Sequence, residues 1–192
     1  MKNNKMIAMM LTMSMLAAAF AGCLGGDDED DTPDWSISMA SDVSADFVES
    51  AWDPIIPNLN AGDMCDAIIS AMTKTDEREQ AVDFTRAYYT SSQGVIGGSG
   101  AASISNVADL NAEGTTIGVQ SGTTSDLYAQ DNLGAATISA YDDFPSVIAA
   151  LNNGDVHYAM GDAPVLSLEG TLMVTFSDEN FGMAVQGDSS GE

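Results

Sequence analysis

From Thr115 to Asp162 short apolar runs alternate with helix-patterned stretches, which restricts the chain to an α/β fold with largely parallel strands. Thr115–Gln120 reads as a strand, and Ser121-Gly122-Thr123-Thr124 as a tight turn onto a helix through Gln130. Thr137–Tyr141 is a second strand, Asp143–Asn153 a helix ended by Gly154, His157–Gly161 a third strand and Leu172–Phe176 a fourth. Upstream, Pro54–Asn60 has helical spacing and stops at Gly62, and Asp66–Ser70 reads as a buried strand. Thr75 is placed to cap a helix with Asp76 and Glu77 in its first turn, and Gln93–Gly98 is extended. Ligands in such folds sit beyond the carboxyl ends of strands and at helix N-termini. Arg78, Thr123, Thr124 and Asp162 occupy positions of that kind.

The N-terminus reads as an export signal. Lys2 and Lys5 precede the apolar stretch Met6–Ala19, which is too short to span a bilayer comfortably and has no basic flank after it. Phe20-Ala21-Gly22-Cys23 resembles the lipobox of exported lipoproteins, which implies removal of residues 1–22 and lipidation of Cys23. An ordinary signal peptide with an incidental cysteine stays open. The acidic run Asp27–Asp31, closed by Thr32-Pro33, reads as an extended, solvated tether.

Charge and the reactive side chains exclude several functions. The chain has 29 acidic and 5 basic residues and a formal charge of −24, with an ordinary hydrophobic content of 45%. Such a surface has no cations to neutralise phosphates, so nucleic acid is excluded as a partner, and anionic membrane surfaces are disfavoured. His157 is the only histidine, and Cys65 the only cysteine besides Cys23. Zinc sites and a Ser-His-Asp triad therefore have no raw material, and neither a metal nor a cofactor is expected. Cys65, beside Ala67-Ile68-Ile69, reads as a buried inert thiol.

Once residues 1–22 are set aside, Lys74, Arg78 and Arg86 are the only Lys and Arg side chains. An arginine following a buried-looking run in so anionic a chain, with Asp162 far along the sequence, supplies what a zwitterion needs: one fixed cation and one fixed anion. An α-amino acid is such a zwitterion. On spacing alone Arg78 also reads as a surface cation pairing with nearby acids. Asp162, two residues before Pro164, also reads as a helix N-cap, and Trp52 as a core residue.

The segments Trp52–Leu59, Asp66–Ile69, Thr75, Arg78, Val82-Asp83-Phe84 and Tyr88-Tyr89, followed by Asp109-Leu110, Gly118–Ser125, Ala149–Gly154 and Gly161-Asp162, resemble family 3 extracellular solute-binding proteins, the polar amino-acid receptors of ABC importers. The resemblance covers roughly residues 39–187. It implies a two-lobed, type II periplasmic-binding-protein-like α/β fold that closes on its ligand about two strand-like hinges. It implies that Arg78 holds the ligand carboxylate, with Thr73 and backbone N–H groups near Ala71 and Thr124 completing the cradle at a helix start opened by Thr123. It further implies that Asp162 accepts from the ammonium, that Ser70 adds a polar contact and that Trp52 packs on the ligand side chain.

The first lobe departs from the family pattern. Its first, interior strand is missing after residue 23, and the chain stops near the return hinge, so lobe 1 is expected to be incomplete at both ends. The expected organisation is a leader at 1–22, a tether at 23–33, lobe 1 at 34–93, lobe 2 at 94–182 and a return hinge at 183–192. The expected protein is a monomeric receptor, not an enzyme, lipid-anchored at the outer face of the cytoplasmic membrane and partnered by an importer permease. A truncated, non-binding surface fragment and an enzyme on the same fold are the alternatives. The sequence does not name the amino acid.

Overall fold

A computed structural model of the protein describes residues 6–10, 45–62 and 64–187. Cys23, the acidic tether and the last residues of the expected return hinge lie outside that set. The chain builds two five-stranded sheets, and the fold is the two-lobed α/β type expected.

The second sheet grows from the alternating segment. Its strands run β7-β6-β8-β5-β9, where β5 is Tyr89–Gly97, β6 Thr116–Gln120, β7 Thr137–Tyr141, β8 Tyr158–Asp162 and β9 Leu172–Phe181. β6 lies parallel between β7 and β8, whereas β5 is antiparallel to both β8 and β9. β6 is buried from Ile117 to Gln120, as an interior parallel strand covered on both faces should be. One face packs Val95, Ile117, Val119 and Met160 with Ala129 and Leu133 at the end of helix α2, Thr124–Asn132. The other packs Ile96 and Ala159 with Val147 and Leu151 of α3 (Phe144–Asn153) and Leu166 of α4 (Ala163–Glu169). Asp143 caps α3 through Ser146 N at 2.7 Å, and Gly154 ends it at φ 81°.

The first sheet is built from shorter pieces in the order β2-β1-β3-β10-β4. They are β1 Met6–Met10, β2 Ala45–Glu49, β3 Ala67–Ile68, β4 Val82–Phe84 and β10 Ala184–Gln186. Helix α1, Ile55–Ala61, covers it, with Ile55 and Leu59 packed on Ile68, Met72, Val82 and Ala184. Cys65 is buried in the same cluster, and burial, then Asp66, pushes its thiol pKa up, in keeping with an inert role.

Two elements of this sheet differ from the sequence expectation. Residues 1–22 are expected to stand outside the fold, yet Met6–Met10 pairs in parallel with both β2 and β3. The physical reason is the demand of the slot: an interior parallel strand is a near-continuous apolar run, and Met-Ile-Ala-Met-Met is one. The first strand that looks absent after residue 23 is supplied from before it. Residues 184–186, expected in the return hinge, form β10 between β3 and β4. The chain crosses between the sheets at β4–β5 and at β9–β10, and these crossings lie side by side through Thr85 N to Met183 O and Tyr88 N to Phe181 O, both 2.9 Å. No helix among the described residues is long and apolar enough to cross a membrane.

Candidate functional site: a charged cleft between the lobes

On the first-lobe side the site is built by the irregular segment after β3. Met72 is fully buried, and Thr73 bridges to Phe181. Gly182 N donates to Met72 O at 3.0 Å and Lys74 N to Asn180 O at 2.9 Å, so the segment is clamped to the end of β9. Thr75 Oγ1 accepts from Arg78 N at 3.2 Å, but the helix expected here is only a 3-10 turn, Arg78–Gln80, because β4 begins at Val82. The Arg78 guanidinium, half-buried, turns back into the cleft. Its Nη1 donates to Thr73 O at 2.9 Å, and its Cζ lies 5.2 Å from the Trp52 ring centroid. Desolvation lowers its pKa, opposed by Glu179 first and then by Asp162 and Glu77. The guanidinium remains charged across the physiological range.

On the second-lobe side the turn Ser121–Thr123 and the start of α2 face it. Thr123 is the N-cap: its Oγ1 donates to Gln120 O at 2.7 Å and accepts from Asp126 N at 3.4 Å. Gly122 sits at φ 68°, a conformation that favours glycine, and its N–H donates to Asp126 Oδ2 at 3.0 Å. Its carbonyl accepts from Trp52 Nε1 at 3.1 Å and from Arg78 Nη2 at 3.4 Å, which joins the two lobes. Trp52 therefore serves both readings: it is buried in the first-lobe core and presents its indole edge to the cleft.

Asp162 ends β8 at the N-cap position of α4, but its side chain makes no capping bond. Its Oδ1 instead accepts from Gln93 Nε2 at 2.7 Å. Gln93 is only 2% exposed; the same Nε2 also donates to Thr124 Oγ1 at 3.1 Å, and Ser125 Oγ donates to Gln93 Oε1. One buried amide thus ties the Asp162 carboxylate to the start of α2. Burial pushes the Asp162 pKa up to about 6; the Gln93 bond pulls it down, Glu179 raises it and Arg78 lowers it. Arg78 and Asp162 feel each other's charge without forming an ion pair.

The structure brings Arg78, Thr73, Trp52, Thr123, Thr124 and Asp162 to the cleft. Ser70 is half-buried, and its Oγ is buried without a hydrogen-bond partner. Ala71, at φ 51°, donates its N–H to Tyr88 Oη at 3.0 Å. Burial raises the Tyr88 pKa, the Ala71 bond lowers it and Asp162 raises it. Sequence reasoning missed Gln93, Glu179 and the reach of Tyr88. For Gln93 a signal existed, an amide inside the buried run Gln93-Gly94-Val95-Ile96. Glu179 follows Asp178 in an exposed-looking stretch and gives none.

The family described as bacterial extracellular solute-binding proteins, family 3, matches residues 36–154. The chain is 30% identical over 163 residues to a probable histidine-binding protein of Neisseria gonorrhoeae, covering 79% of this chain and 60% of that protein. It is 35% identical over 121 residues to ABC transporter arginine-binding protein 1 of Escherichia coli K12, covering 63% and 48% respectively. The chain thus spans about half to three-fifths of the length of these curated relatives. Among solved structures, an ancestral amino acid-binding protein described as a precursor of cyclohexadienyl dehydratase superposes with a TM-score of 0.76 at 26% identity, over 97% of this chain and 84% of that one. An ancestral arginine-binding protein bound to glutamine gives 0.74 at 26% identity, over 99% and 87%.

Proposed function

Because the chain belongs to family 3 of the bacterial extracellular solute-binding proteins, we propose that it is the substrate-binding component of an ABC importer and holds an α-amino acid between its lobes. The observation that carries this reading is the pairing of Arg78 with Asp162: opposite charges, one from each lobe, both drawn out of water and neither neutralising the other in an ion pair. The ligand carboxylate takes Arg78 in charge-assisted hydrogen bonds, with Thr73 beside it and the N-terminus of α2 at Thr123 and Thr124 adding its dipole. The ammonium goes to Asp162, held in place by Gln93. Ser70 Oγ lacks a partner and is free to serve the ligand. Trp52 stacks along the side chain.

Relatives named for histidine and arginine binding support an amino acid as the ligand. The ligand stabilises the closed arrangement through its greater affinity for that state, and the closed form docks on a permease. A monomer anchored at the outer face of the membrane through a lipidated Cys23 would give up β1, because lipidation there removes residues 1–22 and with them the strand between β2 and β3. A thermal-shift screen of the protein against the standard amino acids tests the reading, because a ligand that binds only the native state raises the melting temperature. A rise with one ligand class, lost in Arg78→Ala and Asp162→Ala, supports it. A cooperative transition that no amino acid moves overturns it.

A further inference from the structure

Three strands of the second sheet carry a row of polar groups on the face that meets Arg78. Asp162 of β8 stands opposite Gln93 of β5. Two residues back on β5, and so on the same face, Ser91 stands opposite Glu179 of β9. Between these pairs the β5–β9 register shifts: Ser92 pairs with Asp178 and Gln93 with Phe176, which leaves Ser177 as the extra residue of a bulge at φ 54°. Ser177 Oγ donates to Glu179 Oε1 at 3.0 Å, so the bulge residue aims the carboxylate.

Glu179 is 3% exposed, and its Oε2 is buried with no hydrogen-bond partner. A buried carboxylate oxygen left without a donor is costly, and the single Ser177 bond to Oε1 leaves Oε2 in need of one. Lys74, the cation next along the chain from Thr73, pairs with Glu79 at 3.6 Å. Arg78 feels Glu179 more than it feels Asp162, yet a bound amino acid would engage Arg78 with its carboxylate and Asp162 with its ammonium. Glu179 would then remain as a surplus negative charge in a closed cleft. A neutral side chain buries that charge uncompensated, whereas a side-chain cation neutralises it.

We propose that Glu179 is a third charged binding residue of the cleft, and that its unpartnered Oε2 selects α-amino acids with a cationic side chain over neutral ones of the same shape. The proposal rests on the amino-acid reading above. Calorimetric titration of the protein with L-arginine and with L-citrulline, its neutral isostere, tests it. Arginine is expected to bind more tightly by about 30-fold or more, the scale of a buried charge pair. Glu179→Gln should narrow that ratio to within about 3-fold, and Glu179→Asp, which keeps the charge but withdraws it by one methylene, should give an intermediate ratio. Equal affinities in the native protein, or a ratio that Glu179→Gln leaves unchanged, overturn the proposal; if binding is still lost in Arg78→Ala, the amino-acid reading stands without it. No binding of any amino acid overturns both.

Discussion

The two lobes present the two halves of the site in different ways. In the second lobe, Asp162, Gln93 and Thr124 sit on regular strands and a capped helix, backed by hydrophobic clusters on both faces of the sheet. In the first lobe, Arg78 comes from a 3-10 turn fastened to the end of β9, over a sheet whose β3 has 2 residues and whose β4 and β10 have 3 each. The anion is set by a rigid scaffold and the cation by a clamp. Positioning of Asp162 should therefore depend on the second-lobe core, and positioning of Arg78 on the integrity of the β9 crossing.

The largest expected effect sharpens that contrast. Leu166→Ala, at a fully buried position of α4, should cost about 2–5 kcal/mol, read by denaturant unfolding, and should act on the second-lobe transition. Its counterpart in the first lobe is Ala8→Pro. A proline inside β1, which lies between β2 and β3, removes a ladder hydrogen bond to a neighbouring strand and should cost about 1–3 kcal/mol of first-lobe stability. If purified exported protein shows no such loss, β1 does not contribute to the mature fold, and the cleaved-leader expectation gains in its place.

Asp162 comes next. A carboxyl whose pKa is about 6 in the folded protein and about 3.9 in the unfolded chain binds more protons when folded, so its contribution to stability falls as pH rises from about 4 to 6. At pH 7 the ligand-free protein carries that penalty in full. Asp162→Asn should therefore raise the melting stability at pH 7 by about 1–3 kcal/mol and lose most of that advantage at pH 4, while abolishing ligand binding. A melting temperature that falls at pH 7 would show that the native carboxylate is structural. For the native protein, affinity for an amino acid should weaken as pH drops through 6, because the ammonium requires the ionised acid.

The smallest effect tests the lobe contact. Trp52→Phe keeps the apolar ring and removes the Nε1 bond to Gly122 O, a change of about 1 kcal/mol. Scattering measurements should show the ligand-free population shifted towards the open form, with little change in unfolding midpoint. An unchanged profile would mean that Gly122 O does not hold the lobes together.

What was legible in the sequence follows the same division. The run from β6 to β8 could be read because its strands are continuous apolar runs and its helices carry local signals: Thr123 and Asp143 as caps, Gly154 as a stop. Arg78 and Asp162 could be singled out because cations are scarce and a zwitterion needs both signs. β10 could not, because three residues carry no period and their place depends on a partner, β3, more than a hundred positions away. Glu179 could not, because its facing is decided by the bulge at Ser177, which exists only once β5 and β9 pair. The role of Met6–Met10 was hidden for another reason: the same apolar composition suits a leader and an interior strand.

The central claim is that Arg78 holds a ligand carboxylate while Asp162 holds its ammonium. A double-mutant cycle across protein and ligand tests it most directly, pairing native protein and Arg78→Ala with L-arginine and its decarboxylated analogue agmatine, by calorimetry. Losing the carboxylate and losing Arg78 are each expected to weaken binding by about 30-fold or more, and losing both to cost little beyond losing one. Additive losses, or an Arg78→Ala protein that still distinguishes arginine from agmatine as the native protein does, would contradict it.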